Sequence, residues 1–120
     1  MAESSNPVFN NIIKQMIKKS LFTERQIEII LNQLNIQKTN FSITKGAYYR
    51  QVNQSRDKLL GLYFSVILLK GLGVLIPEDI DVINKLSEQV SVIQNGDVFP
   101  EREYEIISVI DALVNRACRL

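Results

Sequence analysis

Between Phe41 and Leu59 the sequence reads FSITKGAYYRQVNQSRDKL. Long hydrogen-bonding side chains crowd this stretch: Lys45, Arg50, Gln51, Asn53, Gln54, Arg56 and Lys58. On a helical wheel of about 100° per residue, Tyr48, Val52, Ser55 and Leu59 share one side at the spacing of a buried stripe. Gly46, Arg50, Asn53 and Asp57 fall opposite, with Ala47, Tyr49 and Gln54 at the margins. These residue types suit the edges of bases in a major groove. Arginine pairs with guanine O6 and N7, and asparagine or glutamine with adenine N6 and N7. Gly46, without a side chain, lets the helix N-terminus approach a phosphate. Lys45, Arg56 and Lys58 would take phosphates on the flanks. A plain solvated helix face has the same composition, so the surrounding elements must decide.

Those elements read as five helices and no clear strand. Val8, Ile12, Ile13, Met16 and Ile17 form a first apolar stripe that ends near Ser20. Thr23 is an N-cap with Gln26 as its capping-box partner, and Ile27, Ile30, Leu31 and Leu34 carry the second helix to about Asn35. IQKTNFSI has no clear period and reads as a connection, or as a short wing. Thr44 caps a third helix from Lys45 to about Lys70, ended by Gly71 and Gly73. Pro77, Glu78 and Asp79 open a fourth, lined by Ile80, Ile83, Leu86, Val90 and Ile93 and stopped by Asn-Gly-Asp at 95–97. Pro100, Glu101 and Glu103 open a fifth, with Ile107, Ile110, Val114 and Ala117 along one side. The fold class expected is therefore all-α, with the third helix the longest.

TERQIEIILNQL followed by SITKGAYYRQVNQSRDKL resembles the helix-turn-helix DNA-binding domains that end bacterial sigma factors and occur in related response regulators. Thr23, Glu24, Arg25, Ile27 and Ile30 match the cap and apolar helix that open those domains. Ile43, Thr44, Lys45, Gly46, Tyr49, Val52, Ser55, Lys58 and Leu59 match their recognition helix in order. The resemblance covers about a third of the chain. It implies DNA contacts by the residues after the cap, here Lys45, Gly46, Ala47, Tyr49, Arg50 and Asn53. The family has a full scaffold helix between the two matched segments, where this chain has only NIQKTNF. Its recognition helix also stops where this one continues into GLYFSVILLK.

Several chemistries are excluded by composition. The chain has no histidine and one cysteine, Cys118. It cannot form an intrachain disulfide or a Ser-His or Cys-His nucleophile pair, and zinc chemistry has almost no ligands to draw on. No Gly-rich phosphate loop is present. Glu101, Glu103 and Glu105 follow Pro100 and read as helix-start charges rather than a metal or acid–base cluster. The expectation is a protein with no catalytic, metal or cofactor site and no evident small-molecule ligand. MAESSNPVFNNIIKQMIKKS lacks the apolar run of a signal peptide. Leu59 to Ile76 is apolar, but Lys70, Gly71 and Gly73 interrupt it before it reaches the length of a membrane span. A cytoplasmic location is expected.

Charge divides the chain. Residues 1–75 hold ten basic and four acidic side chains, and residues 76–120 hold four and nine, so +6 faces −5. Opposite signs suggest separate surfaces, one of them for a polyanion. A helix apolar all round is buried all round, and LGLYFSVILLKGLGVL would need a cover, from helices four and five or from a second subunit. The chain is thus read as one domain. Residues 7–58 form a basic part for double-stranded DNA, and residues 59–120 an apolar and acidic part that packs and forms a homodimer. The resulting function is a transcription regulator or architectural DNA-binding protein using Lys45, Gly46, Ala47, Tyr49, Arg50, Asn53, Gln54, Arg56 and Lys58. The rival is a helical adaptor whose apolar and acidic half binds a protein partner.

Overall fold

The computed structural model describes residues 9–96 and 100–120. Val8 and Asp97, assigned above to a stripe and a helix stop, lie outside them. Five helices are seen: α1 (Asn11–Lys19), α2 (Glu24–Gln33), α3 (Lys45–Gly71), α4 (Pro77–Ile93) and α5 (Pro100–Cys118). The fold is all-α, and no strand forms among the described residues. The connection from α2 to α3 has no wing and no intervening helix.

The described chain divides into two compact units, residues 16–65 and residues 9–15 with 66–120. The division falls inside α3, seven residues beyond the boundary expected at 58/59. α3 continues unbroken through it.

In the first unit, Thr23 caps α2 as its sequence predicts. Gln26 N–H donates to Thr23 Oγ1 at 3.1 Å, and Thr23 N–H donates to Gln26 Oε1 at 2.9 Å. The pair satisfies two N–H groups that a helix start otherwise leaves open. Asn35, at φ 60°, ends α2. Ile36 N–H then reaches back to the Leu31 carbonyl at 2.9 Å, a left-handed helix stop of the kind asparagine tolerates. Ile17 and Ile29 are buried in this unit. Ser55 is buried with them, and Tyr48, Val52 and Leu59 are half-buried along the same side of α3.

In the second unit, Asn10 caps α1: Ile13 N–H donates to Asn10 Oδ1 at 3.0 Å. The amide of Asn10 donates to the Ile93 carbonyl at 3.0 Å, so one side chain serves the start of α1 and the end of α4. Gly73, at φ 82°, stops α3, while Gly71 is its last helical residue. Val74 N–H returns to the Leu69 carbonyl at 2.8 Å. Asp79 is buried in the first turn of α4 and accepts from Ile76 N–H at 3.0 Å. Arg119 closes on the same carboxylate at 3.3 Å and donates to the Val74 carbonyl at 2.7 Å. Arg119 thus ties the end of the chain to the α3–α4 turn rather than capping its own helix. α4 packs against α5, and Ile12 and Ile110 are buried. Cys118 is exposed.

The second half of α3 is largely exposed. Val66 and Leu69 are half-buried, but Leu60, Tyr63, Phe64, Ile67, Leu68 and Leu72 are exposed. Among the described residues, these side chains stay exposed. Among the described residues, no helix is long and apolar enough to cross a membrane.

Candidate nucleic-acid interface

Thr44 sets the start of the interface. Ala47 N–H donates to Thr44 Oγ1 at 3.0 Å, and Tyr48 N–H donates to the Thr44 carbonyl at 2.9 Å, which fixes Lys45 as the first helical residue. No acidic residue occupies the first turn of α3, so nothing local offsets the positive end of its dipole.

Tyr48 anchors this turn to α2. Its hydroxyl accepts from Asn32 Nδ2 at 2.7 Å and donates to Gln33 Oε1 at 2.8 Å. Asn32 in turn accepts from Thr39 N–H at 3.1 Å, so one amide holds both α3 and the preceding connection. Phe41 packs on Tyr48 at 5.5 Å between ring centroids, and the Arg25 guanidinium lies 5.4 Å from the centre of the Phe41 ring. Tyr49 stands edge-on to Tyr48 at 5.2 Å and is itself exposed. Tyr48 therefore belongs to the packing of the unit, and Tyr49 to its surface.

The remaining candidates fall as the wheel places them. Lys45, Gly46, Tyr49, Arg50, Asn53, Gln54 and Arg56 are exposed, and Ala47 is half-buried. No hydrogen bond or ion pair among the described residues engages the side chains of Lys45, Arg50, Asn53, Gln54 or Arg56. A Cβ added at Gly46 would meet nothing within 4 Å. Packing within the chain thus gives no reason for glycine there, and a close approach from outside would.

Lys58, expected on a phosphate flank, is engaged within the first unit. Its ammonium donates to the Leu21 carbonyl at 2.8 Å and to Gln26 Oε1 at 2.9 Å, and it lies 6.0 Å from the centre of the Phe22 ring. Two of its three donors hold α3 against the start of α2. Of the three basic residues expected on the flanks, Lys45 and Arg56 have no hydrogen bond or ion pair among the described residues. Asp57 is exposed on the Asn53 side and would repel a phosphate there, so the polar face ends at that turn.

Sequence reasoning missed one feature of this unit. An apolar cleft of about 200 Å³ lies between α2 and α3, walled by Ile29, Leu34, Val52 and Leu59. Ser55 sits in its lining, and its Oγ is buried without a hydrogen-bond partner among the described residues. The serine could be placed on the packed stripe from its spacing, but the missing partner depends on α2 and has no local signal.

Among the described residues, no group of three or more Cys, Asp or Glu side chains is placed to hold a metal ion. No family model, curated protein or solved structure matches the chain.

Proposed function

We propose that this protein binds double-stranded DNA as a homodimeric transcription regulator or architectural factor, laying the first turns of α3 in the major groove. One observation carries the reading. Lys45, Gly46, Arg50, Asn53 and Gln54 stand exposed on the first three turns of α3, their side chains without hydrogen-bond partners among the described residues, while Tyr48, Val52, Ser55 and Leu59 fix the opposite side. Arg50 and Asn53 supply base readout, and Lys45 and Arg56 supply phosphate contacts. The resemblance to sigma-factor helix-turn-helix domains supports the same assignment. The absence of a scaffold helix between α2 and α3 sets the protein apart from that pattern, leaving α1 and α2 as supports. The excess of basic side chains in residues 1–75 also supports the reading.

Titration of mixed-sequence duplex DNA at increasing salt tests this. Lys45 and Arg56 from two copies would neutralise four phosphates. The slope of log K against log salt would then be roughly −3 to −4. Absence of binding at low salt would end the reading.

A helical adaptor remains the second reading, because Ile83, Val92, Tyr104, Val109 and Val114 of the acidic half are exposed apolar residues. It predicts no affinity for DNA at any salt and capture of a protein partner by the second half.

A further inference from the structure

The cleft between α2 and α3 lies wholly inside the first unit. Ile30 and Leu34 wall it from one helix, and Val52 and Leu59 from the other. Ile29, 1% exposed, is the most deeply buried of its apolar residues. A cavity of about 150 Å³ lined by such side chains stays dry and takes up benzene. At about 200 Å³ this cleft has room for one aromatic ring or a comparable aliphatic chain.

Two polar side chains in the lining offer donors. Arg56 is exposed, and its guanidinium has no hydrogen bond or ion pair among the described residues. It carries no acceptor at all. The Oε1 of Gln33 is taken by the Tyr48 hydroxyl at 2.8 Å, which leaves the amide N–H groups as what Gln33 offers a ligand. No acidic residue lines the cleft. A free inorganic anion gains nothing from the apolar walls, and a hydrocarbon gains nothing from Arg56. An apolar body that carries one anionic acceptor uses both.

Ser55 points to a ligand independently. It lines the cleft, is 2% exposed, and its Oγ has no partner among the described residues. A serine within a helix can bond the carbonyl one turn back, and this one does not. Water is a poor substitute, because a buried water needs roughly two to four polar partners and these walls are apolar. A larger apolar side chain here would continue the stripe of Val52 and Leu59 and take up part of the cleft. The chain carries a small orphaned hydroxyl instead, a loss of stability of the kind that functional sites bear.

We propose that the cleft binds a small monocarboxylic acid with an apolar body, an aromatic acid or a short fatty acid. The ring or chain lies among Ile30, Leu34, Val52 and Leu59, and the carboxylate meets Arg56. Gln33 and Ser55 are the further donors in the lining. Arg56 is also the residue offered above to a phosphate, and it cannot serve both at once. The site itself does not rest on DNA binding, and it is tested without DNA.

Benzoate, hexanoate, benzamide and inorganic phosphate are titrated separately into the full chain and followed by NMR. Benzoate and hexanoate should shift the methyl signals of Ile29, Ile30, Leu34, Val52 and Leu59, saturating below about 10 mM. Ile12 and Ile110, in the second unit, should not move. Benzamide has the shape of benzoate without its charge. It should bind about threefold to tenfold more weakly, the range an exposed guanidinium allows. Phosphate should leave the five residues unshifted. Arg56→Met should make benzoate and benzamide bind alike. Leu34→Asp, at an exposed position, should abolish benzoate binding by removing a wall and adding a repelling charge. Absence of a saturable shift at the five residues with either acid overturns the site. Equal binding of benzoate and benzamide by the wild type, or benzoate binding undiminished in Arg56→Met, overturns the carboxylate assignment. Shifts centred on the amides of Lys45 and Arg50 would put the acid at the start of α3 and overturn the cleft as its site.

Discussion

Lys58 of α3 donates to Gln26 Oε1 of α2 at 2.9 Å, and the same oxygen accepts from Thr23 N–H at 2.9 Å. The amide that caps α2 is therefore also the point where α3 is fastened to it. A charged donor gives this contact about 1.5–3 kcal/mol in a typical setting, less here because Lys58 is itself exposed.

Lys58→Met keeps the aliphatic stem and removes the ammonium. It should lower the urea midpoint of the protein by an amount equivalent to about 1 kcal/mol. Arg56→Met, which breaks no hydrogen bond or ion pair among the described residues, should leave the midpoint within about 0.5 kcal/mol and weaken DNA binding instead. If Lys58→Met leaves stability unchanged while Arg56→Met lowers it, the roles given to the two residues are exchanged.

Ser55→Ala should be neutral or stabilising. Its hydroxyl is buried with no partner among the described residues, and an orphaned polar group costs about 1–3 kcal/mol where it stays dry. Ser55→Val should stabilise further if its methyl groups enter the adjoining cleft. Equilibrium unfolding of the two variants decides this, and a clear loss of stability in Ser55→Ala would show that the hydroxyl has a partner.

Tyr48→Phe keeps the ring packing on Phe41 and removes two hydrogen bonds, from Asn32 and to Gln33. The expected cost is about 1–2 kcal/mol. Because Asn32 also holds Thr39, amide exchange should speed up across the connection before α3 as well as at its first turn. Protection unchanged in that connection would mean that Tyr48 does not fasten it.

Arg119→Ala should destabilise the second unit, because it leaves the buried Asp79 carboxylate with only the Ile76 N–H among its described partners. The loss expected is about 1–2 kcal/mol, discounted for the half-exposed guanidinium. Asp79→Ala should cost more, since it also removes the first-turn cap of α4. Thermal unfolding that ranks the two the other way would contradict the assignment of Asp79 as the centre of this cluster.

Local signals made the helix starts legible. Thr23 with Gln26, Thr44 before Lys45 and Pro77 with Asp79 each act within four residues, where sequence and structure speak about the same atoms. The Tyr48–Val52–Ser55–Leu59 stripe was legible for the same reason. Contacts distant in the chain were not. Lys58 reaches Leu21 across 37 positions and Arg119 reaches Asp79 across 40. Until a partner element is in place, Lys58 reads as phosphate-binding and Arg119 as a last-turn charge of its own helix. The cover of α3 was left open between helices four and five and a second subunit, because an all-round apolar helix implies burial without saying which chain provides it. Gly71 and Gly73 looked alike in sequence, and only the positive φ of Gly73 separates the helix end from the residue that turns it.

The most direct measurement compares duplex DNA binding by the wild type and by Arg50→Ala with Asn53→Ala, at low and moderate salt. Both side chains are exposed, so the double variant should keep the wild-type unfolding midpoint. Its affinity should fall by at least about tenfold, because each base contact is worth roughly 1–3 kcal/mol. The salt slope should flatten little, since Lys45 and Arg56 remain. Equal binding by the two proteins, or no binding by either at low salt, would contradict the placement of α3 in the groove.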